Sequence, residues 1–446
     1  MRFLSNRRLR FVKVIAVRWR RRAIFVMGGI VVGAAAVALA TLADRAQIAF
    51  ALLLAKSRYV SLVLTPAGFA LSVFLTNRFF ANSQGSGIPQ AIAARQLTDH
   101  VARGTLVSVR IAIGKILLTL LGLLCGASVG REGPTVQVGA SIMFAIGRMS
   151  PRRQPGLILA GAAAGVAAAF NTPLAGIVFG IEEMSRAFEM RTSALVIGAV
   201  IAAGLTSLAL VGNYDYFGTS ATMLRSGADW LAVPACGIVG GLAGGLFSRV
   251  VITVARGLPG APGRLAKRHP LVFALLCGFG VALCGLASGD AIYGTGYAQV
   301  KAALVSGHPL SWNFGVLKLA ATTLAAVSGI PGGIFSPSLA VGAGIGVNVA
   351  HLFSHAPVEA IMLLGMVSYF AGVVQAPITA FVIVTEMTDN HAMVVPLMAA
   401  ALIAQATSKL VCPEGIYHAL AKRFVQANQS AHDGERSARA PDAERA

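Results

Sequence analysis

Long apolar stretches recur along nearly the whole chain, and they leave it one medium in which to fold, a membrane. After a first run at Ala23–Ala43, others fall near 59–76, 106–128, 156–181, 194–211, 231–251, 271–287, 314–329, 336–353, 359–385 and 392–411. A helix that spans the hydrocarbon layer needs about 20 such residues. Only 12% of the 446 residues are charged and 56% are hydrophobic, where a soluble domain carries roughly a quarter charged. No single water-soluble core hides that much apolar surface. Several runs are too short to span, or are interrupted by Gly and Pro, which predicts helices that enter the membrane and stop part-way. Irregular backbone is tolerated at that depth only where it is buried in protein or lines a cavity. The interruptions therefore mark the working site.

The net charge is +20, but the basic residues sit at the ends and in loops between apolar runs. That is the pattern of cytoplasmic loops, not of a nucleic-acid surface. Residues 1–22 hold nine Lys or Arg and no acid, a basic cytoplasmic segment able to touch anionic lipid. Residues 23–417 form the transmembrane domain. Residues 418–446 form a polar cytoplasmic tail, with disorder expected from about Asn428. Cys125, Cys236, Cys277, Cys284 and Cys412 show no zinc spacing and read as small apolar packing residues. The Asn428-Gln429-Ser430 sequon lies in the polar tail and carries no weight. No Walker A loop, HExxH or GxSxG is present. Neither a metal, a cofactor, a nucleotide nor an enzymatic activity is expected.

The two halves resemble each other. Lys115 sets on Lys318, 203 residues on, and the same offset matches Thr119 with Thr322, Leu121 with Leu324, Gly126 with Gly329, Gly130 with Gly333, Pro134 with Pro337, Gly139 with Gly342 and Ala140 with Ala343. One residue further out, Gly161 meets Gly365, Ala167 meets Ala371, Pro173 meets Pro377 and Glu182 meets Glu386. Loop charge gives the orientation: 212–230 has one Arg against two Asp and lies outside, while Arg256, Arg264, Lys267 and Arg268 lie inside. The halves, about 23–211 and 231–411, thus have opposite topology. Inverted repeats of this kind place a substrate at mid-membrane, where broken helices from both halves meet.

Three Gly/Pro-rich breaks stand out: Gly85-Ser86-Gly87-Ile88-Pro89, Gly130-Arg131-Glu132-Gly133-Pro134 and Gly333-Ile334-Phe335-Ser336-Pro337. Each precedes a run able to form a helix, with Pro suited to the first turn. Each then presents free N–H groups and a positive dipole end of roughly half a charge, which favours an anion. Held by partial charges rather than by Lys or Arg, an anion can leave again. One such break is as well read as a kink; three together, two related by the duplication, point to a site. Glu132 lies within the second break. Such a carboxylate can cap the helix, or occupy the anion's place and swing aside once protonated. Glu182 and Glu183 end the run from Gly156, either as an interfacial pair or as functional acids. Lys115 reads as a buried partner for a carboxylate or as an interfacial residue, and Arg110 lies in the same run.

With these residues in view, the sequence resembles the CLC family of chloride channels and chloride/proton exchangers over roughly residues 25–425. GSGIP (85–89), GREGP (130–134), GGIFSP (332–337), AAFNTPLAGIVFGIEEM (168–184) and Tyr417 all match, in order and spacing. The resemblance implies an all-α polytopic fold of about eighteen tilted, partly broken helices in two inverted repeats, assembled as a homodimer with a pore in each subunit. It implies a central chloride held by the Ser86 and Tyr417 hydroxyls and the backbone N–H groups of Ile334 and Phe335. Glu132 would be the gating glutamate, with N–H groups around Arg131 and Gly133 binding an outer anion. Glu183 matches the inner proton-transfer glutamate of exchangers, with Glu182 its structural neighbour. Ser86 resembles chloride-preferring members. Gln90-Ala91-Ile92 departs from members that carry acids after GSGIP. The compact form, without tandem nucleotide-binding domains, looks like a bacterial member of the inner membrane, both termini cytoplasmic.

The leading expectation is chloride/proton antiport with no further cofactor. A passive chloride channel of the same family is the alternative. A carrier of larger organic anions, or an intramembrane enzyme using Glu132 and Glu183, is more remote.

Overall fold

The computed structural model describes residues 2–149, 151–185, 190–212, 216–225, 227–353 and 355–439. Nineteen α-helical segments run through them, close to the eighteen expected. The described residues contain no strand, only two isolated bridges, Gly85 with Pro331 and Gly130 with Gly333. Among the described residues, seven helices are long and apolar enough to cross a membrane, and five more apolar helices are shorter, at 10–17 residues. The first membrane run is the inner part of one long helix, Arg2–Lys56.

The apolar runs at 156–181 and 359–385 each split in two. Gln154–Phe170 ends on Asn171 at φ 56°, and the next helix starts at Pro173. Val358–Val374 ends on Gln375 at φ 59°, and the next starts at Pro377. Proline has no N–H to continue a helix, and it disfavours helical backbone in the residue before it. The same break at matched positions shows the duplication in three dimensions.

Each half is built round one tight helix pair. Glu132–Ile146 crosses Gln154–Phe170 where Gly139 meets the backbone of Gly161. Phe335–Ala350 crosses Val358–Val374 where Gly342 meets the backbone of Gly365. These four glycines are the matched pairs of the repeat. Close backbone approach is the main attraction between helices in lipid, where tails are as apolar as side chains. A Cβ at Gly342 would fall on the Gly365 carbonyl. Gly342→Val is therefore expected to destabilise the purified protein by ~3 kcal/mol, the upper range for overpacking, measured by denaturant titration in detergent; unchanged stability would mean that the helices separate freely.

Two features differ from the sequence reading. The chain does not lose structure near Asn428: the helix Ile416–Arg439 runs through the polar tail. That stretch is rich in Ala, Arg and Gln, strong helix formers, and propensity outweighs its low hydrophobicity. Lys115 neither pairs with a carboxylate nor reaches an interface. It is fully buried, and its Nζ donates to the carbonyls of Gly85 at 2.8 Å and Gln84 at 3.3 Å. Its repeat counterpart Lys318 donates to the carbonyls of Ile292 and Gly294 at 2.8 and 2.7 Å. Each buried amino group donates to the backbone of a loop that opens a short helix.

The five cysteines are unpaired, and all but Cys284 are buried, as small packing residues would be.

Candidate functional site

All three breaks become helix N-termini, at Ile88–Gln96, Glu132–Ile146 and Phe335–Ala350. Their N-cap residues, Gly87, Arg131 and Ile334, give no side-chain hydrogen bond to the first turn. First-turn N–H groups have no acceptor within their own helix, so each end keeps its donors and its positive dipole.

Short backbone bridges bring the three ends together. Gly130 and Gly333 exchange N–H···O bonds, both 2.7 Å. Gly85 donates to Ile330 O at 3.1 Å and accepts from Gly332 N at 2.9 Å. Gly133 sits against both Ser86 and Gly333, and a Cβ there would strike the Ser86 hydroxyl. Glycine is required at that position because three backbones converge on it. The loop before Ser86 is fixed from behind: Lys115, Gln90 and Gln137 all donate to carbonyls between Asn82 and Gly85. Gln90, at a position where some members of the family that the sequence resembles carry an acid, thus has a backbone partner.

The residues named from sequence divide into two clusters. In the first, Glu132 is fully buried. Its Oε1 accepts from Ser336 Oγ at 2.5 Å and from the Tyr216 hydroxyl at 3.4 Å. Its Oε2 is buried against Gly130 without a hydrogen bond. The carboxylate of one broken helix therefore lies on the first turn of another, where a dipole end favours negative charge. Arg131 contributes only backbone here. Its guanidinium turns to the first helix, bonding Ala40 O and Asp44 Oδ1, both 2.6 Å, beneath the Tyr216 ring.

In the second cluster, the Tyr417 and Ser86 hydroxyls are sealed from solvent and neither makes a hydrogen bond of good geometry. They are near neighbours, and Tyr417 is close enough to both Glu132 and Glu183 to feel their charge. Its ring packs on Phe335, centroids 5.9 Å apart. Two unspent hydroxyls beside unspent helix N–H groups form a set of donors with no acceptor of their own, the chemistry of an anion site.

The adjacent glutamates part company. Glu182 accepts from Ile378 N at 3.1 Å, Thr379 N at 2.6 Å and Thr379 Oγ1 at 2.7 Å, capping the helix that starts at Pro377. Its repeat partner Glu386 accepts from Leu174 N and Ala175 N at 3.1 and 2.7 Å, capping the helix that starts at Pro173. The halves exchange caps. Glu183 is buried, 3% exposed, in a π-helical turn at Gly180–Ser185. The equivalent residue in the second half is Met387, fully buried, so the inner carboxylate belongs to one half alone.

Sequence reasoning missed Tyr216, Ser336 as a partner of Glu132, and His418 beside Glu183. It also missed that Gly294-Thr295-Gly296 repeats Gly85-Ser86-Gly87. There Gln47 Oε1 accepts from Thr295 N at 3.0 Å and from its hydroxyl at 3.2 Å, so an amide oxygen takes the donors that stay free around Ser86. Only one of the two related loops is left for a ligand.

The family model described as voltage gated chloride channel matches residues 68–409. The chain belongs to that family. The H(+)/Cl(-) exchange transporter ClcA of Yersinia pestis is 32% identical over 433 residues, covering 90% of this chain and 87% of that one. ClcA of Salmonella typhimurium is 31% identical, covering 85% and 83%. Among solved structures, a slow cyanobacterial Cl-/H+ antiporter is 25% identical with TM-score 0.77, covering 91% of this chain and 98% of that one. A CLC-type fluoride/proton antiporter, 23% identical with TM-score 0.75, shares the fold over 90% and 97%. The all-helical, multi-pass architecture is that of this family, and its three broken helices meet where the buried hydroxyls and Glu132 lie.

Proposed function

We propose that this protein exchanges chloride for protons across a bacterial inner membrane, as a homodimer with one pore per subunit and both termini in the cytoplasm. The observation that carries the reading is the placement of Glu132. An ionisable carboxylate lies at the meeting of three helix N-termini, in a position that a small anion would fill. Charged, it blocks; protonated, it loses its attraction to the dipole ends and leaves the position to chloride. Ser86, Tyr417 and the N–H groups of Ile334 and Phe335 hold a central chloride, and the backbone at Arg131 and Gly133 holds an outer one. Glu183 receives protons from the cytoplasm and exchanges them with Glu132. Similarity to relatives named as H(+)/Cl(-) exchangers supports the same assignment.

A proton gradient imposed on chloride-equilibrated liposomes is expected to drive chloride uphill. Chloride that stays at equilibrium would instead make the protein a passive channel. Ser336→Ala removes the shortest bond to Glu132. A hydrogen bond to a charged group contributes about 1.5–3 kcal/mol, so block weakens and chloride flux at neutral pH rises roughly tenfold. Unaltered flux in a chloride-electrode assay would mean that this carboxylate position is not the blocking one.

A further inference from the structure

We propose that His418 is a proton relay between solvent and Glu183, an inference that rests on the chloride/proton reading. His418 follows Tyr417 at the start of Ile416–Arg439. Adjacent helical residues point about 100° apart, so one turn serves two tasks: Tyr417 turns to Phe335 and Ser86, and His418 turns to Glu183. His418 Nε2 lies 2.8 Å from the Glu183 carbonyl and 3.5 Å from Oε1 of its carboxylate. The imidazole side chain is 13% exposed against 3% for the carboxylate, so the ring is the member of the pair that meets water. Imidazole has the chemistry for this position, because it binds a proton on one nitrogen and releases one from the other.

The step balances. Water delivers a proton to the second ring nitrogen, giving an imidazolium. The ring then turns its Nε2–H from the Glu183 carbonyl, where it rests at 2.8 Å, to Oε1; the Nε2–H bond breaks, an O–H bond forms on Oε1, and the ring is left neutral. Exchange with water restores its starting tautomer. Transport in the opposite direction reverses each transfer. The charged groups nearby have bonds of their own. Arg95 donates to Met184 O and Ser185 Oγ, both 2.9 Å. Lys422 binds Glu414 at 2.9 Å, and Glu414 also meets Arg256 at 3.6 Å. The Lys422–Glu414 pair lies further out, at 59% and 43% side-chain exposure.

The test compares His418→Gln in two backgrounds. Gln keeps an N–H donor for the Glu183 carbonyl but cannot carry a proton. In the otherwise native protein, reconstituted in liposomes, chloride-driven proton pumping and coupled chloride turnover are expected to fall together by about a hundredfold, the low side of what a positioned proton carrier contributes. In a Glu132→Ala background, where chloride passes without protons, the same substitution is expected to leave chloride flux where Glu132→Ala alone puts it. Slowing in both backgrounds would assign His418 to the anion path or to helix packing and overturn the relay. No slowing in the native background would overturn it as well. Failure of the underlying reading is separate, because the native protein would then pump no protons.

Discussion

Glu132→Gln is expected to pass chloride and to move no protons above the background of empty liposomes. The substitution is nearly isosteric. The amide oxygen can still accept from Ser336 Oγ, so the three helix ends should keep their arrangement. What is lost is the negative charge that competes with chloride for the dipole ends and the proton that goes with it. A positioned proton carrier contributes about a hundredfold or more, so proton flux should fall by at least that factor. Chloride flux should persist and lose its dependence on pH. Glu132→Ala removes the bulk as well as the charge and should pass chloride faster than Glu132→Gln. Proton coupling that survives either substitution would remove Glu132 from the mechanism, whatever its position.

The second large effect separates two neighbours. Glu183→Gln is expected to stop proton movement while chloride still passes, because the inner acid is gone and the anion site is intact. Glu182→Gln is expected to do the reverse: the ratio of chloride to protons stays as it was, and stability falls. Glu182 places a charge on a helix N-terminus and accepts three bonds there, so its neutral amide should cost ~2 kcal/mol. Glu386→Gln should cost a similar amount, since it caps the matching helix from the other half. Ion flux and denaturant titration on the same three preparations distinguish the roles. A changed ratio in Glu182→Gln, or an unchanged one in Glu183→Gln, would exchange the assignments.

The sequence carried the parts of this site that depend on backbone. Gly and Pro at the three breaks, and the repeat that relates two of them, locate the helix N-termini, because those residue types act through local conformation. It also carried Glu132, a carboxylate placed within such a break. Without the family resemblance it did not separate Glu182 from Glu183. They are adjacent, and the π turn at Gly180–Ser185 resets the helical register there, which periodicity cannot reveal. Lys115 was misplaced because a buried lysine amine can donate to carbonyls or to a carboxylate, and only the fold shows which is within reach. Tyr216 lies in a polar loop, where nothing local indicates that it folds back onto Glu132. Gly294-Thr295-Gly296 escaped the comparison of halves because its offset from Gly85-Ser86-Gly87 is 209 rather than 203. His418 lies where the chain first turns polar, so it read as tail. The Ala-rich tail itself shows propensity prevailing over low hydrophobicity, since its helix extends to Arg439.

The most direct measurement is proton movement in liposomes that hold the purified protein, with an outward chloride gradient and the membrane voltage clamped by an ionophore. Exchange through Glu132 and Glu183 predicts that chloride leaving the liposomes drives protons inward against their own gradient, in fixed proportion to the chloride released. Chloride efflux with no proton movement would contradict the account. The pore would then be a channel, Glu132 a pH-sensitive gate, and Glu183 a buried acid without a part in transport.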